Sequence, residues 1–409
     1  MPGQSNILII GKVWPEPTSS AAGSRIMQLI ELFQFQDWEI TFATAAGESE
    51  FAEDLESMGI RTEHIFINDS SFDEFISGLS PDIVFFDRFM TEEQFGWRVS
   101  EYCPDALRIL DTQDLHSLRN GRHQALKEGR AFTEEDLYSD YAKREIASIY
   151  RCDLSLIISE FEMNLLRDVF GVQENLIHYV PFILPKAYDS SWTGFEEREG
   201  FISIGNFLHE PNWDAVLYLK NSIWSMIKSK LPNAELYVYG AYASQKVIQL
   251  NNPEEGFLVK GRANEVSQVM SETRVCLAPL RFGAGLKGKL IDAMQCGTPS
   301  VTTSVGAEGM HGDFSWPGMI EDTPEEFAKA AVRLYSEKPD WGRAQKKCVQ
   351  IINQRFSRKE IKEGLVLRIL EVKDQLKRHR RKNFIGAMLM HHTNASTKYM
   401  AKWIEAKNK

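Results

Sequence analysis

Cysteine is scarce in this chain: its 409 residues include five, and no two of them form a Cys-x-x-Cys pair. The scattered positions argue against a disulfide framework and a zinc ribbon, and they fit a reducing cytosol. The chain also has no apolar run near the ~20 residues that a membrane span needs. Residues 1–11 lack the basic region and the apolar region of a secretory signal. From these absences we expect a cytoplasmic location.

Several catalytic patterns are missing as well. The nine histidines include no His-Glu-x-x-His and no His-x-x-x-His spacing, so the sequence predicts no zinc site. No Gly-x-Ser-x-Gly elbow occurs, which argues against a hydrolase with a serine nucleophile. We expect neither a metal ion nor a cofactor.

Charge is unevenly distributed along the chain. The sequence holds 47 Lys and Arg against 57 Asp and Glu, a formal net charge of −10. Residues 373–409 carry ten Lys and Arg and two acids, a local balance of +8, so the remaining residues carry −18. A uniformly basic nucleic-acid coat is therefore excluded, whereas a basic C-terminal tail is predicted. The hydrophobic fraction of 43% is that of an ordinary globular protein.

Short apolar runs alternate with helical patterns through the first half of the chain. Runs that predict strands lie at residues 6–11, 38–44, 61–67, 82–87, 107–112 and 153–159. Helical patterns separate them, for instance over 92–102 and 134–150. Continuous apolar strands that alternate with helices indicate a parallel sheet covered on both faces. An eight-stranded barrel is an alternative that the sequence alone leaves open.

A polar stretch over 184–200 interrupts this alternation and predicts a linker. Strand patterns then recur at 201–207, 235–240, 257–261, 274–279 and 299–304, with a helix from about 212 to 230. We predict an α/β chain of two facing doubly wound, Rossmann-like domains with a ligand cleft between them, at the carboxyl ends of their strands. The predicted parts are a first domain over 1–185, a linker over 186–200, a second domain over 201–355, a helix returning towards the first domain over 356–372, and a helical basic tail over 373–409.

A glycine-rich turn between a predicted strand and a predicted helix is the strongest chemical signal. Gly283, Gly285 and Gly288 let the backbone approach an anion closely. Lys287 and Lys289 add positive charge, and free backbone N–H groups with the helix dipole favour a phosphate at such a junction. The alternative is a plain loop with two solvated lysines.

The same run nearly matches a P-loop. Gly283, Gly288 and Lys289 have the P-loop spacing, but Leu290 stands where Ser or Thr would hold Mg²⁺. A further turn, with Gly306 and Glu308, follows the next predicted strand. We predict that it borders the same cleft, where the Glu308 carboxylate would accept hydrogen bonds from hydroxyl groups. The alternative is a surface turn with one charge.

Polar residues of the first half are candidates for the acceptor side of the cleft. Ser20 and Gly23 lie in the loop after the first strand, where small residues suit a close ligand, although Ser24 as a helix cap explains this loop equally well. Four more candidates cluster after the predicted strand Leu107–Leu110: Asp111, Asp114, His116 and Arg119. An N-cap aspartate beside a satisfied histidine is the alternative. Glu160 and Glu162 form a weaker candidate pair.

Residues 201–310 resemble the nucleotide-sugar-binding half of GT-B glycosyltransferases, most closely glycosyltransferase family 4. The segments that carry the resemblance are Ile204–Phe207, His209–Ala215, Tyr239–Gly240, Leu277–Lys289, Asp292–Pro299 and Val305–Gly309. The first half matches more loosely, through residues 110–116 and 158–160.

This resemblance implies roles for particular residues. The glycine-rich loop with its two lysines would hold the donor diphosphate, Gly205 would line the same phosphates, and Arg262 would border the nucleoside. Asp292 stands where the family has the second glutamate of its E-x7-E motif, which contacts the ribose.

Two positions depart from the family pattern. Ala284 stands where the first glutamate of that motif is expected, so Glu308 or another carboxylate must substitute for it. Asn206 replaces the arginine that follows the first strand of this half, and Lys287 and Lys289 would supply the missing charge. The chain has no Asp-x-Asp pair, which fits a metal-independent mechanism in which lysines and backbone dipoles stabilise the leaving phosphate.

We therefore predict a glycosyltransferase that moves a hexose from a nucleotide-diphosphate sugar to an acceptor hydroxyl, with retention and without metal, in glycan or surface-polysaccharide synthesis. Asp114, His116 and Glu308 are the predicted catalytic residues. The alternatives are a nucleotide-sugar-binding protein without transferase activity and a P-loop-like NTPase.

The partner of the basic tail is left open by the sequence. A cluster from Lys377 to Lys382 is followed by the apolar residues Phe384, Ile385, Met388, Leu389 and Met390. Such a segment fits peripheral contact with the inner face of a membrane or with RNA, or a solvated helix that packs back on the first domain. The acceptor is a glycan, a lipid-linked glycan or another hydroxyl compound, and RNA or protein acceptors stay open.

Overall fold

A computed structural model of the chain describes residues 5–189 and 192–391, together with residues 400, 403, 404 and 407. Within this part of the chain, two parallel sheets are each covered by helices on both faces. This architecture confirms the predicted fold class of two Rossmann-like α/β domains.

The first sheet has the order β3-β2-β1-β4-β5-β6-β7, with every neighbouring pair parallel. Its strands are β1 (Asn6–Gly11), β2 (Glu39–Thr44), β3 (Arg61–His64), β4 (Ile83–Asp87), β5 (Leu107–Asp111), β6 (Leu154–Ile157) and β7 (Ile177–Tyr179). Its helices are α1 (Ala21–Gln34), α2 (Ser71–Leu79), α3 (Phe89–Tyr102), α4 (His116–Lys127), α5 (Asp140–Arg151) and α6 (Glu160–Asp168). The central strand β4 is buried along its whole length, as a strand with helices on both faces must be.

The second sheet has the order β10-β9-β8-β11-β12-β13 and is also parallel. Its strands are β8 (Phe201–Ile204), β9 (Leu236–Tyr239), β10 (Phe257–Gly261), β11 (Val275–Ala278), β12 (Ser300–Thr302) and β13 (Gly318–Ile320). Its helices are α7 (Glu210–Tyr218), α8 (Trp224–Lys230), α9 (Gln245–Ile248), α10 (Val266–Glu272), α11 (Gly288–Gln295), α12 (Ser304–Ala307), α13 (Pro324–Ser336) and α14 (Lys338–Arg355). A π-helical turn, Leu219–Ile223, joins α7 to α8, so the helix predicted over 212–230 is one helical run with a bulge.

Three local features differ from the sequence patterns. The three-residue strands β7 and β13 were not predicted, because they are edge strands that are only partly buried and so carry no continuous apolar run. The helix predicted over 134–150 is divided into a 3-10 turn, Glu134–Leu137, and helix α5. It divides there because the Ser139 hydroxyl accepts the N–H of Ala142 at 3.2 Å and begins a new helix.

The chain passes between the two sheets twice, and the two connecting segments contact each other. Leu184 donates its N–H to the carbonyl of Phe356 at 3.0 Å, which places the two crossings side by side. Arg198, at the end of the predicted linker, is buried in the second domain and donates to the Thr298 hydroxyl at 2.7 Å. Beyond the second crossing, α15 (Arg358–Asp374) returns to the first sheet, where Leu365 and Ile369 are completely buried.

Two short helices, α16 (Leu376–Lys382) and α17 (Phe384–Met390), end the continuously described chain. They rest on the first domain, where α17 packs against α5. The later part of the predicted basic tail, residues 392–399 and most of 400–409, lies outside the described residues.

Candidate active site

A cleft of about 930 Å³ lies between the carboxyl ends of the two sheets. In each sheet the strand order reverses once, between β1 and β4 in the first and between β8 and β11 in the second. Ligands of open parallel sheets bind outside the strand ends at this reversal. Loops after these four strands line the cleft, together with loops after β5, β9 and β10, so the topology directs both binding edges at one space.

Two lysines of the glycine-rich turn line the cleft on the side of the second domain. Lys287 donates from Nζ to the carbonyl of Gly285 at 2.6 Å, and Lys289 lies in the first turn of α11. Burial lowers the pKa of each lysine to about 8, so both carry charge at pH 7. Gly205, after β8, faces Lys289 closely: a β-carbon there would lie 2.9 Å from the Lys289 Nζ and 2.6 Å from the Asn212 Nδ2.

The starts of two helices meet at this point. A β-carbon on Gly288, the first residue of α11, would lie 2.5 Å from the β-carbon of Ala21, the first residue of α1. The Ser20 hydroxyl caps α1 by accepting the N–H of Gly23 at 3.0 Å. Because unpaired N–H groups and positive dipole ends lie at helix starts, two of them facing one space favour an anion.

The packing of the loop that precedes α1 explains why small residues occur in it. A β-carbon on Gly23 would lie 2.3 Å from the carbonyl oxygen of Glu16, so only glycine lets this loop pack against the helix. Ser24 does not cap α1, since its hydroxyl donates to the Pro17 carbonyl at 2.8 Å. Ser20 and Gly23 both line the cleft, as the sequence suggested.

Asp114, His116 and Arg119 form a charged group on the opposite wall. The Nε2 of His116 lies 3.3 Å from Oδ1 of Asp114, and the guanidinium of Arg119 contacts the other carboxylate oxygen. Burial opposes ionisation of Asp114, but the charge and hydrogen bond of Arg119, together with His116 and His209, outweigh it and hold the pKa of Asp114 well below its usual range. Burial lowers the pKa of His116 to about 3 despite the neighbouring carboxylate. At neutral pH this wall therefore carries an ionised aspartate, a neutral imidazole and a guanidinium.

Two buried carboxyl groups hold the backbone of that wall through hydrogen bonds. Glu145 accepts the N–H groups of His116 and Ser117 at 2.9 and 3.0 Å, which satisfies the start of α4, and burial raises its pKa to about 7. Glu162 accepts with Oε1 from the N–H of Leu115 at 2.9 Å and from the N–H of Gly285 at 2.8 Å. The Glu162 carboxyl thus joins the first domain directly to the glycine-rich turn.

Asp292 and Arg262 line the cleft beyond the lysines. Burial raises the pKa of Asp292 to about 7, with Lys289 opposing the rise. Arg262 reaches across the domain boundary, where its Nη2 donates to the Thr18 hydroxyl at 2.7 Å and its guanidinium lies 4.4 Å from the centroid of the Phe51 ring. Arg262 is therefore at the rim where both domains meet.

Four predicted site residues do not line the cleft: Asp111, Gly285, Gly306 and Glu308. Asp111 is completely buried in an ion pair with Arg25, 2.7 Å from its Nη2, so a carboxylate at a strand end serves the fold here. Glu308 accepts two hydrogen bonds from Arg122, at 2.8 and 2.7 Å, so it is turned towards an arginine of the first domain.

The two glycines of this group fill structural positions. Gly285 has a φ of +62°, and a β-carbon on it would lie 2.8 Å from the β-carbon of Asp114. A β-carbon on Gly306 would lie 1.9 Å from the Thr302 hydroxyl oxygen. Gly285 therefore allows the close contact of the two domains, and Gly306 lets α12 lie against β12.

Several cleft residues were missed by the sequence predictions: Arg88, Gln113, His209 and Asn212. Arg88 and Gln113 have left-handed backbones, with φ of +73° and +63°. Strained residues at a cleft commonly have functional roles, but no sequence signal marks such a conformation. His209 and Asn212 lie within a segment quoted for the family resemblance, which was a signal that could have identified them.

The described residues contain neither a cluster of metal-ligating side chains nor a helix that could span a membrane. Across residues 5–189 and 192–391 and the few described residues beyond, no three His, Cys, Asp or Glu side chains are grouped as a metal site would require. Among the same described residues, no helix combines the length and apolar composition needed to cross a bilayer.

Comparison with known proteins places the second domain in a family. Residues 198–337 match the family of glycosyl transferases group 1. No curated protein matches the chain in sequence.

Solved structures match over both domains. A sucrose-phosphate synthase from Thermosynechococcus elongatus is 15% identical with a TM-score of 0.66, over 90% of this chain and 100% of that chain. Anabaena HepE in complex with UDP-glucose is 13% identical with a TM-score of 0.66, over 91% of this chain and 100% of that chain. A point mutant of TarM from S. aureus, in complex with fondaparinux, alpha-GlcNAc-glycerol and UDP, is 13% identical with a TM-score of 0.58, over 73% of this chain and 58% of that chain.

At these identities the structural matches establish the fold, and the family match assigns the second domain. The chain spans 58% of the TarM mutant chain and the whole length of the other two proteins. The chain has the two-domain GT-B fold, and its residues 198–337 form a glycosyl transferases group 1 domain.

Proposed function

We propose that this protein transfers a hexose from a nucleotide-diphosphate sugar to an acceptor hydroxyl, with retention of configuration and without a metal ion. The observation that carries the proposal is the anion site at the start of α11, where Lys289, Gly205 and Gly288 converge. A diphosphate is the donor group that this site would hold, and the two lysines would stabilise the charge that develops on the leaving nucleotide.

The opposite wall supports sugar transfer over simple binding of a nucleotide. The transition state of glycosyl transfer carries positive charge on the sugar ring. Asp114 is ionised at every physiological pH, and it would face that charge across the cleft. His116, with a pKa of about 3, would act as a neutral hydrogen-bonding group for sugar hydroxyls and would not transfer protons.

Ala284 supports a second candidate, a nucleotide-sugar-binding protein without transferase activity. It lines the cleft where the family carries a glutamate, and Glu308 is occupied by Arg122. In the transferase proposal Asp114 supplies the negative charge that Ala284 lacks. A P-loop NTPase is not proposed, because Leu290 is completely buried in the core and no hydroxyl stands at that position.

The acceptor and the cellular setting are parts of the same proposal. HepE and TarM were solved with UDP-glucose and with UDP and a sugar compound, respectively, and we propose a UDP-type donor for this chain by analogy. Synthesis of a surface polysaccharide or a lipid-linked glycan at the inner face of a membrane is the proposed role. RNA and protein acceptors, and contact of the tail with RNA, are the alternatives.

The test compares donor binding with turnover in one series. Wild-type protein is screened by thermal shift with UDP, GDP, dTDP, CMP and ADP and the matching sugar nucleotides, with and without Mg²⁺. A ligand at 100 times its Kd adds about 2.7 kcal/mol of stability, which such a screen detects. The Lys287→Gln/Lys289→Gln variant should lose the shift with every diphosphate. A Lys230→Gln/Lys246→Gln variant, altered at two exposed lysines outside the cleft, should keep it.

The outcomes separate the candidates. A Mg²⁺-independent shift with one diphosphate, together with sugar transfer to a saccharide acceptor, supports the transferase. A shift without transfer to any acceptor and without donor hydrolysis favours the binding protein. Retained turnover in the double lysine variant would remove the anion site from the mechanism.

A further inference from the structure

We propose that helices α16 and α17 form a docking surface for an anionic lipid bilayer. This surface, called here the C-terminal patch, consists of the exposed residues Lys377, Arg378, Arg381, Lys382, Phe384, Ile385, Met388 and Leu389. It shares no residue with the cleft, so the inference does not rest on the proposed function.

The helix pair is held firmly on the first domain. Arg380 donates to both carboxylate oxygens of Asp153 at 2.8 Å and to the carbonyl of Ala106 at 2.7 Å. Asn383, between the two helices, donates to the carbonyl of Tyr150 at 2.7 Å. These contacts fix which side of the helices faces outwards.

Helix α17 exposes its large apolar side chains to solvent, whereas a helix that packs on a core buries them. Its buried residue is Gly386, where a β-carbon would lie 2.1 Å from the Tyr150 carbonyl oxygen, so no larger side chain fits on that side. The large apolar side chains point outwards instead, and Phe384, Ile385, Met388 and Leu389 are between 36% and 68% exposed. An exposed group of large apolar side chains marks an interaction surface, because a protein without a partner at this position would bury such side chains when it folds.

The positive charge next to these apolar side chains indicates which partner binds the C-terminal patch. Residues 375–391 include five Lys and Arg and no Asp or Glu, although the chain as a whole has a net charge of −10. Four of those cations are exposed at the edge of the apolar group. Basic residues next to large aliphatic ones match anionic headgroups above acyl chains.

The composition of the patch favours a bilayer over RNA. Proteins that bind single-stranded nucleic acid offer aromatic rings for base stacking. In the C-terminal patch Phe384 is an aromatic residue among the aliphatic Ile385, Met388 and Leu389. Further along the chain, Trp403 and Ile404 are also exposed, which continues the apolar character.

The position of the patch leaves the cleft accessible. Arg380 and Asn383 contact Ala106, Asp153 and Tyr150, which precede strands β5 and β6. The cleft lies beyond the opposite ends of the same strands. A bilayer on the patch therefore does not cover the cleft.

The experiment measures binding of the full chain to vesicles by sedimentation. Vesicles of phosphatidylglycerol and phosphatidylcholine are compared with pure phosphatidylcholine; neither contains a sugar acceptor. We expect binding to the anionic vesicles, at least about tenfold stronger than to the neutral ones. We expect a loss of at least about tenfold in Phe384→Ser/Ile385→Ser/Met388→Ser/Leu389→Ser and in Lys377→Gln/Arg378→Gln/Arg381→Gln/Lys382→Gln.

Matched variants at exposed positions elsewhere control for a general loss of charge or hydrophobicity. The apolar control is Ile248→Ser/Leu367→Ser, and the charge control is Lys230→Gln/Lys246→Gln/Lys346→Gln/Lys359→Gln. Both controls should bind like wild type. Thermal unfolding of every variant verifies that the fold is retained.

Three results would overturn the proposal. The first is failure of the wild type to bind anionic vesicles, and the second is equal binding by the patch variants. The third is a concentration-dependent dimer, or a complex with a generic RNA, that is lost in the same variants while vesicle binding is unchanged. Those last results would assign the C-terminal patch to a second copy or to RNA.

Discussion

The two walls of the cleft are built in different ways. The wall from the second domain, which we propose as the donor wall, comes from one continuous segment in which Lys287 and Lys289 add charge at the start of α11. The wall from the first domain, which we propose as the acceptor wall, depends on side chains that hold one another, as Asp114 does with Arg119 and His116. Two distant carboxyl groups, those of Glu145 and Glu162, support it. A phosphate site needs N–H groups and positive charge, which local backbone geometry supplies, whereas recognition of a sugar needs several polar side chains at defined angles.

The largest effect that separates the two walls is expected from Asp114→Asn. The variant keeps the shape of the side chain but removes the negative charge that would face the sugar, so kcat should fall roughly 100-fold. The Kd of the nucleotide diphosphate should change little, because the donor wall is intact. Steady-state kinetics and calorimetric titration measure the two quantities.

The reverse pattern would contradict this division of roles. If Asp114→Asn weakened diphosphate binding and left kcat unchanged, the acceptor wall would belong to the donor site. Arg119→Gln is a companion variant, since it removes the cation that keeps Asp114 ionised. It should raise the pH at which activity is lost on the acid side.

A smaller, pH-dependent effect should arise on the donor wall. Burial lowers the pKa of Lys287 and of Lys289 to about 8, so each is charged below pH 8 and loses its charge above it. Affinity for a nucleotide-diphosphate sugar, whose phosphates do not titrate in this range, should be flat from pH 6 to 7.5. Above pH 8 it should fall by up to about tenfold per pH unit for each lysine.

Two variants sharpen this prediction. Lys287→Arg/Lys289→Arg carries guanidinium groups that stay charged, so its affinity should show no fall up to pH 10. Asp114→Asn should keep the wild-type profile, because Asp114 itself stays ionised throughout this pH range. A wild-type affinity that is constant to pH 10 would refute the lowered lysine pKa values.

The smallest expected effect concerns Glu162, which joins the two walls. Burial raises the pKa of its carboxyl from 4.5 to about 8. Between these two pH values the folded protein keeps a proton on Glu162 that the unfolded chain releases. The stability that the protonated Glu162 contributes is therefore complete below pH 4.5 and is lost as the pH rises towards 8. The slope from this one group is at most about 1.4 kcal/mol per pH unit.

Glu162→Gln tests this directly by urea unfolding between pH 5 and 8. Both hydrogen bonds go to Oε1, which the amide retains, so the variant should fold and should lose part of the decline in the free energy of unfolding. Glu145 and Asp292, with pKa values of about 7, account for the rest of the decline in the free energy of unfolding, which both proteins should show. An unchanged slope in Glu162→Gln would show that Glu162 is ionised in the folded state.

Most of the fold could be predicted from the sequence because parallel strands with helices on both faces are continuous apolar runs. The exceptions are informative. Strands β7 and β13 are three-residue strands at the sheet edges that are only partly buried, so no continuous apolar run marks them. Ser139 interrupts a helical pattern with a hydroxyl cap, an effect of one side chain that periodicity does not show.

The candidate site was predictable to different extents on its two walls. The glycine-rich turn, Lys287 and Lys289 line the cleft as the sequence suggested, and so do Asp114, His116 and Arg119, although their roles stay predictions. Asp111 and Glu308 also follow strands, yet one is paired with Arg25 and the other with Arg122. A carboxylate after a strand can serve the fold or the cleft, and its partner is distant in sequence.

The sequence by itself determined two α/β halves, a positively charged glycine-rich turn between strand and helix, and a basic C-terminal segment. These features follow from local composition and spacing, which act through backbone geometry within a few residues. The tertiary structure alone decided which carboxylates reach the cleft, which arginines neutralise the others, and which face of α17 turns outwards. Each of these depends on contacts between residues far apart in the chain, such as Arg122 with Glu308 and Gly386 with Tyr150.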